Sequence, residues 1–123
     1  MFEIHPAAED KVLVLAKKEA LDFPVSAMVL WDGGEESGYL LYRVEKDKAE
    51  LLVCRCEDAD LQEWLVRAAL NAAANHNALT AASQNKDMFP LLQKLGFSLQ
   101  DGALSVFIPD FFNRPCQGCA GCC

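Results

Sequence analysis

The segment Asn-Lys-Asp-Met-Phe-Pro-Leu-Leu-Gln-Lys-Leu-Gly-Phe, residues 85–97, decides the fold of this chain. It predicts a short helix around Leu91 that begins near Asp87, because Pro90 is tolerated only in the first turn of a helix. Gly96 is the glycine expected just past the end of such a helix. Phe97 then begins an extended segment, so this stretch predicts a helix that leads directly into a strand.

Upstream of that segment, apolar periodicity predicts one strand, one helix and then three strands. Residues 2–5 are extended, and Pro6 suits the first turn of a helix that runs to about Leu21. Val12, Leu13, Ala16 and Ala20 recur at helical spacing and form the predicted apolar side of this helix. Three apolar runs at 25–31, 39–44 and 50–56 follow, and the turn residues between them predict an antiparallel meander.

The middle and the end of the chain are predicted to contain a long helix and a closing hairpin. Asp60 and Glu63 have the spacing of a capping box at the start of the long helix. Its predicted buried face comprises Leu61, Trp64, Leu65, Ala68, Ala69 and Ala72. Residues 78–82 suit a short buried strand, and Asp101-Gly102 predicts a two-residue turn between strands at 97–99 and 104–108. The predicted order is therefore β-α-β-β-β-α-β-α-β-β.

Length, composition and charge limit the classes of protein to which the chain can belong. With 123 residues and 52% hydrophobic content, we assign residues 1–110 to one compact domain and residues 111–123 to a cysteine-rich C-terminal tail. No apolar stretch approaches the roughly 20 residues of a membrane-spanning helix, so we expect a cytoplasmic protein that does not contact membranes. A net charge of -7 without a basic patch argues against a nucleic-acid partner.

Three stretches resemble the GNAT superfamily of acyl-CoA N-acyltransferases. Residues 4–10 are similar to the opening of that family, where the first strand meets the first helix, and Gly38-Tyr39 falls where its second hairpin carries a glycine. Residues 85–97 match the spacing of the family pattern Asn-x-x-Ala-x-x-Leu-Tyr-x-x-x-Gly-Phe. The resemblance implies an α+β fold, with a mixed sheet flanked by helices and a fourth and fifth strand that splay apart.

The same resemblance implies a site that binds acetyl-CoA and an amine. The pantetheine arm is expected to pair with the fourth strand, which gives the following candidate cofactor-binding residues: Leu51, Leu52, Val53, Cys54 and Asn85. Glu50 is the candidate general base if an amine is acetylated, although a solvated edge glutamate is the simpler interpretation. Leu92 stands where the family usually has a tyrosine that protonates the thiolate, and a leucine has no proton to donate.

The loop before the long helix departs from the family pattern. Family members place a Gln/Arg-x-x-Gly-x-Gly/Ala loop around the pyrophosphate, whereas this chain has Glu57-Asp58-Ala59-Asp60 after Arg55. A carboxylate about 5 Å from a phosphate charge is repelled by roughly 3 kcal/mol at an effective dielectric near 20. We therefore expect a Kd for acetyl-CoA weaker than about 0.1 mM. The alternative is that Asp58 and Asp60 simply cap the helix.

Four of the six cysteines lie in the tail, where Cys116, Cys119 and Cys122 are separated by two residues each. This spacing allows three thiolates to surround Zn or Fe, with Cys123, Cys54 or Cys56 as a fourth ligand. Two alternatives stay open. The tail is an unliganded end and Cys54 and Cys56 are buried apolar residues, or the thiols form redox-active disulfides.

Two classes of function follow from these features. In the first, the chain is a divergent GNAT-type N-acyltransferase that moves an acyl group from acyl-CoA to a small-molecule or peptide amine. In the second, the fold is a non-catalytic scaffold whose tail binds a soft metal or undergoes redox chemistry. No motif specifies the acceptor.

Overall fold

The computed structural model describes residues 2–22 and 24–113. Within them, a 3-10 turn at Lys86–Met88 precedes the third helix. The strands and helices are β1 Phe2–Pro6, α1 Glu9–Lys18, β2 Ser26–Asp32, β3 Glu35–Glu45, β4 Lys48–Arg55, α2 Ala59–Asn75, β5 Thr80–Ser83, α3 Phe89–Lys94, β6 Ser98–Gln100, β7 Ala103–Phe107 and α4 Ile108–Asn113. The predicted order of elements is confirmed, with α4 added at its end.

The strands form one mixed sheet of 7 strands in the order β1-β2-β3-β4-β5-β7-β6. β4 and β5 are parallel, and the other neighbouring strands are antiparallel. The parallel pair follows from the connection through α2, because only a long crossover brings a strand back in the same direction. The predicted α+β class with a mixed sheet is confirmed.

Helices cover the two faces of the sheet unequally. One face packs against α2, α3 and α4 in a core that includes Leu65, Leu70 and Leu92. The other face packs against α1 alone, and the strand residues of that smaller core come from β2, β3 and β4. Among the described residues, the part of this second face formed by β5, β7 and β6 is therefore not covered by a helix, and we call it the open face.

The prediction for the first helix is wrong at both of its ends. Pro6 belongs to β1 and pairs with Met28, while α1 begins at Glu9 after Ala8. The helix ends at Lys18, and the chain leaves it through a positive φ at Ala20. Leu13 is exposed, because the buried face of α1 is formed by Val12, Leu15 and Ala16.

The start of α2 also differs from the prediction. Asp58, not Asp60, is the N-cap, and Glu63 forms an ion pair with Arg67 instead of completing a capping box. Trp64 is 51% exposed, because the fully buried face of α2 comprises Leu61, Leu65, Val66, Ala69, Leu70 and Ala73. Ala68 and Ala72 are half-buried beside that core, so the predicted face was displaced only at its edge.

The predicted end of α3 and the final hairpin are confirmed. Gly96 has φ of +102°, and its N–H donates to the carbonyl of Gln93 while the N–H of Phe97 donates to Leu92. This pair of bonds is the Schellman motif, in which a glycine relieves the strain of a positive φ. Asp101 and Gly102 both have positive φ, as the type I′ hairpin turn requires.

α4 is an element that the sequence analysis did not predict. Its first residue, Ile108, was assigned to a strand, and the helix crosses the predicted boundary between residues 110 and 111. Phe111 is buried and contacts Phe97 edge to face, so the core extends past that boundary. No helix in the described part of the chain has the length and apolar character needed to cross a membrane.

Candidate functional site

A cleft opens in the sheet where β4 and β5 separate. The two strands form a ladder over three residue pairs, from Lys48 with Thr80 to Glu50 with Ala82. β5 ends one residue later, whereas β4 continues to Arg55. The predicted splaying of these two strands is confirmed, and it leaves the last part of β4 without a strand neighbour on this side.

Side chains span the beginning of the cleft. The hydroxyl of Ser83 donates to the carbonyl of Leu51 at 2.8 Å, and the side-chain amide of Asn85 donates to the carbonyl of Leu52 at 2.9 Å. The same Ser83 oxygen accepts from the N–H of Asn85. These bonds satisfy strand groups that a longer β5 would have paired, so the separation of the strands is stabilised locally.

A β-bulge in β4 lies at the same level as the cleft. Leu41 pairs with Val53 and Tyr42 with Leu51, so Leu52 is the extra residue. Because a bulge interrupts the alternation of a strand, Leu52 and Val53 both contact the core under α1, whereas Cys54 contacts the core on the α2 side. The bulge therefore changes which side chains of β4 face each side at this point.

The predicted cofactor-binding residues converge on this cleft. Val53, Cys54 and Asn85 line a narrow cavity of about 50 Å³, whose wall also contains Arg55, Gln62, Asp87, Met88 and Leu91. Leu51 and Leu52 do not line this cavity, but they precede Val53 on β4, and their carbonyls accept the side-chain hydrogen bonds of Ser83 and Asn85. The structure thus brings these five positions together, and their role in binding stays a prediction.

Glu50 lies immediately before the point where the strands separate. Its neighbours Ala49 and Leu51 are buried in the α2 core, so the Glu50 side chain projects to the other side of the sheet, next to the open face. There it borders a cavity of about 410 Å³ that is also lined by Arg43, Lys48, Ala82 and Gln84. Arg43 forms an ion pair with Glu50, with 3.6 Å between Nη1 and Oε1.

The N-terminus of α2 is occupied by the protein's own carboxylate. Oδ1 of Asp58 accepts from the N–H of Asp60 at 2.8 Å and from the N–H of Leu61 at 3.2 Å. The side-chain amide of Gln62 also donates to the carbonyl of Cys56. This confirms the capping interpretation for Asp58. The backbone N–H groups of a first helical turn are those that an anion would bind, and here two of them already have a partner.

Arg55 forms a bidentate ion pair with Glu19, the residue that follows α1. Its Nη2 lies 2.8 Å from Oε1 of Glu19 and its Nε lies 3.0 Å from Oε2. Tyr39 also donates to Glu19. The hydrogen bond from Arg55 holds the pKa of Glu19 below its usual value, while burial and then the bond to Glu19 raise the pKa of Tyr39 to about 12. Sequence reasoning missed this cluster because its members lie on three separate elements.

The structure explains on steric grounds why residue 38 is a glycine. A Cβ atom at that position would lie 2.8 Å from the carbonyl oxygen of Arg55 and 3.1 Å from Cβ of Cys56. Because the first distance is shorter than real Cβ contacts, only glycine lets β3 approach the end of β4 this closely. The glycine that carried part of the sequence resemblance therefore fixes the geometry next to Arg55.

Cys54 and Leu92, the latter at the position where the family has its proton donor, both lie in apolar surroundings. Leu92 is fully buried in the α2 core, which leaves no proton donor at that position. Burial raises the pKa of the Cys54 thiol to about 12, so this cysteine is a thiol at neutral pH. Cys54 and Cys56 are half-buried free cysteines, and the Cys56 thiol donates to the carbonyl of Asp58.

The metal prediction concerns residues outside those that the structure describes. Cys116, Cys119, Cys122 and Cys123 all lie beyond residue 113. Within residues 2–22 and 24–113, no group of three or more histidine, cysteine or acidic side chains could hold a metal ion. The tail site for Zn or Fe stays a prediction.

Comparison with solved structures identifies the fold. The ribosomal-protein-S18-alanine N-acetyltransferase of Escherichia coli aligns with a TM-score of 0.68 at 14% identity, covering 88% of this chain and 94% of that one. The spermidine/spermine N-acetyltransferase of Vibrio cholerae aligns with a TM-score of 0.66 at 11% identity, covering 93% and 99%. The PaiA N-acetyltransferase of Thermoplasma acidophilum, solved in complex with coenzyme A, gives 0.62 at 17% identity, covering 81% and 71%.

The chain therefore has the GNAT fold, as its sequence resemblance implied. No protein-family model and no curated protein sequence matches it.

Proposed function

We propose that this chain transfers an acyl group from a thioester to an amine at the point where β4 and β5 separate. The observation that carries the proposal is the combination of the bulge at Leu52, the end of the ladder after Glu50 and the GNAT fold around both. One sheet position thus presents a narrow cleft on one side of Glu50 and a cavity of about 410 Å³ on the open face.

The residues that are present match the chemical character of only one half of coenzyme A. The cleft offers apolar walls and side-chain amides, which suit the uncharged pantetheine arm with its two amide groups. The helix end that would receive the pyrophosphate is closed by Asp58. For the arm to enter, the bond between Asn85 and the Leu52 carbonyl has to open, after which that amide is free for the arm.

Glu50 and Arg43 are the residues that act on the proton lost by the amine. A bound acyl thioester supplies an electrophilic carbonyl carbon, to which the amine nitrogen bonds as the carbon–sulfur bond breaks. Glu50 accepts the proton that the amine loses, and Arg43 keeps the carboxylate oriented on the open face. A positioned general base of this kind typically contributes about 10²- to 10⁴-fold to a rate.

The buried Leu92 does not prevent this chemistry. A thiol has a pKa of about 8.5 in water, so the sulfur can depart as a thiolate without a general acid and then takes a proton from solvent near neutral pH. The absent tyrosine therefore lowers the expected rate without removing the reaction path, since positioning the two reactants supplies a large share of the acceleration.

The acceptor is an amine that reaches the open face. The solved neighbours are named for a protein alanine and for spermidine and spermine, so the shared fold admits acceptors of very different size. The walls of the Glu50 cavity include Glu45, Asp47, Lys46 and Lys48, which gives them charges of both signs. A panel of polyamines, amino sugars and lysine peptides is the appropriate first screen.

The test is release of free thiol from acetyl-CoA and from acetyl-pantetheine, each with the amine panel. We expect amine-dependent release that falls about 10²- to 10⁴-fold in Glu50→Gln. Glu35→Gln removes an exposed carboxylate of β3 that does not line this cavity, and it should leave the rate within about twofold, because its charge is screened by solvent. Equal activity of Glu50→Gln and the wild type would contradict the role of Glu50.

A non-catalytic scaffold is the second candidate function. It is favoured by the hydrogen bonds of Ser83 and Asn85, which satisfy the Leu51 and Leu52 carbonyls without any ligand. Absence of thiol release with every amine and both thioesters would support this candidate, and amine-dependent release would exclude it.

A further inference from the structure

The two ends of the donor site have opposite chemistry in this chain. At one end, the cavity between β4 and β5 is lined mainly by apolar and amide side chains, with Asp87 and Arg55 at its border. At the other end, a shallow cavity of about 530 Å³ is lined by residues that include Arg55, Cys56, Glu57 and Asp58. The first end accepts a neutral chain, and the second presents carboxylates to an anion.

Three features of the second end make it unsuitable for phosphate. The Asp58 carboxylate occupies two backbone N–H groups of the first turn of α2. The carboxylates of Glu57, Asp58 and Asp60 are all exposed around that turn. Arg55 is the basic residue on the wall of this cavity, and Glu19 already contacts its guanidinium group with both carboxylate oxygens. A phosphate at this position would have to displace one acid and approach others.

We propose that this chain selects its acyl donor through the pantetheine arm alone, and that Asp58 excludes the nucleotide half of coenzyme A from the end of α2. This inference rests on the proposed function, because it concerns the donor of the same site. It assigns the chain a donor class defined by a neutral thioester arm, in which an attached nucleotide adds nothing to affinity.

Direct binding of pantetheine and of free coenzyme A tests the inference without an acceptor. In titrations followed by NMR, we expect the Kd of coenzyme A to equal that of pantetheine within about tenfold, or to be weaker. Binding of coenzyme A more than about tenfold tighter than pantetheine would overturn the inference, because the nucleotide would then add to the affinity. Failure of pantetheine to bind would also overturn it.

Substitutions at the helix end identify the excluding group. Asp58→Gly frees the two N–H groups and removes the charge, and it should tighten binding of coenzyme A by about tenfold or more while pantetheine binding stays unchanged. The matched control is Asp60→Asn, which removes an exposed charge from the same turn without freeing an N–H group. It should change the Kd of coenzyme A by less than about threefold. Equal effects of the two substitutions would contradict the role of Asp58.

Salt dependence gives the same information on the wild type if Asp58→Gly fails to fold. When NaCl is raised from about 20 to 300 mM, screening should strengthen coenzyme A binding relative to pantetheine, because the nucleotide is repelled. Weakening of coenzyme A binding with salt would show an attractive phosphate site and overturn the inference.

The outcomes separate this inference from the proposed function. Strong preference for coenzyme A together with acyl transfer would refute only this inference. Absence of transfer with intact pantetheine binding would refute only the proposed function.

Discussion

The thioester end and the nucleotide end of the site differ in how they depend on sequence. At the thioester end, the bulge at Leu52 and the short β5 produce the cleft through backbone geometry, and many side chains are compatible with it. At the N-terminus of α2, binding of an anion would require free backbone N–H groups, and the carboxylate of Asp58 already occupies two of them. The fold can therefore be kept while one short loop changes what this helix end can bind.

The thioester end is expected to be the more costly one to disturb. In Ser83→Ala, the Leu51 carbonyl and the Asn85 N–H both lose the hydroxyl as a partner. Because Ser83 is fully buried, we expect a loss of about 1 to 3 kcal/mol in the free energy of unfolding. Urea denaturation measures this loss, with Ser98→Ala on the exposed edge strand β6 as the control. A loss below about 0.5 kcal/mol would show that these bonds contribute little to the stability of the junction between β4 and β5.

At the nucleotide end, Glu19→Gln should cost less, about 1 kcal/mol at pH 7, because its partner Arg55 is largely exposed and screened. The pKa of Glu19 is lowered in the folded state, so its contribution is present above the unfolded pKa of about 4.3 and is lost as pH falls through the lower folded pKa.

Denaturation at pH 7 and at about pH 3 checks this sign, because the difference between wild type and Glu19→Gln should shrink in acid. The exposed residue Glu57 provides the control, and Glu57→Gln should show no comparable narrowing. A difference that grows on acidification would contradict the assigned ion pair.

The sequence could predict those features of the structure that depend on contacts between neighbouring residues. The Gly96 stop, the Asp101-Gly102 turn and the order of elements depend on bonds between near neighbours, so local patterns were sufficient. The ion pair between Glu19 and Arg55, the exposure of Trp64 and the helix α4 depend on contacts between distant elements. Local periodicity carries no information about such contacts, and the cap at Asp58 was open because two aspartates fitted one helix start.

The most direct test of the account is to map where acetyl-CoA contacts the wild-type protein by backbone NMR. We predict shifts for Val53, Cys54 and Asn85 in the cleft, with little change at the N–H groups of Asp60 and Leu61, which Asp58 already occupies. Acetyl-pantetheine should shift the same cleft residues. Large shifts at Asp60 and Leu61 with acetyl-CoA, or no shifts in the cleft with either thioester, would contradict the account.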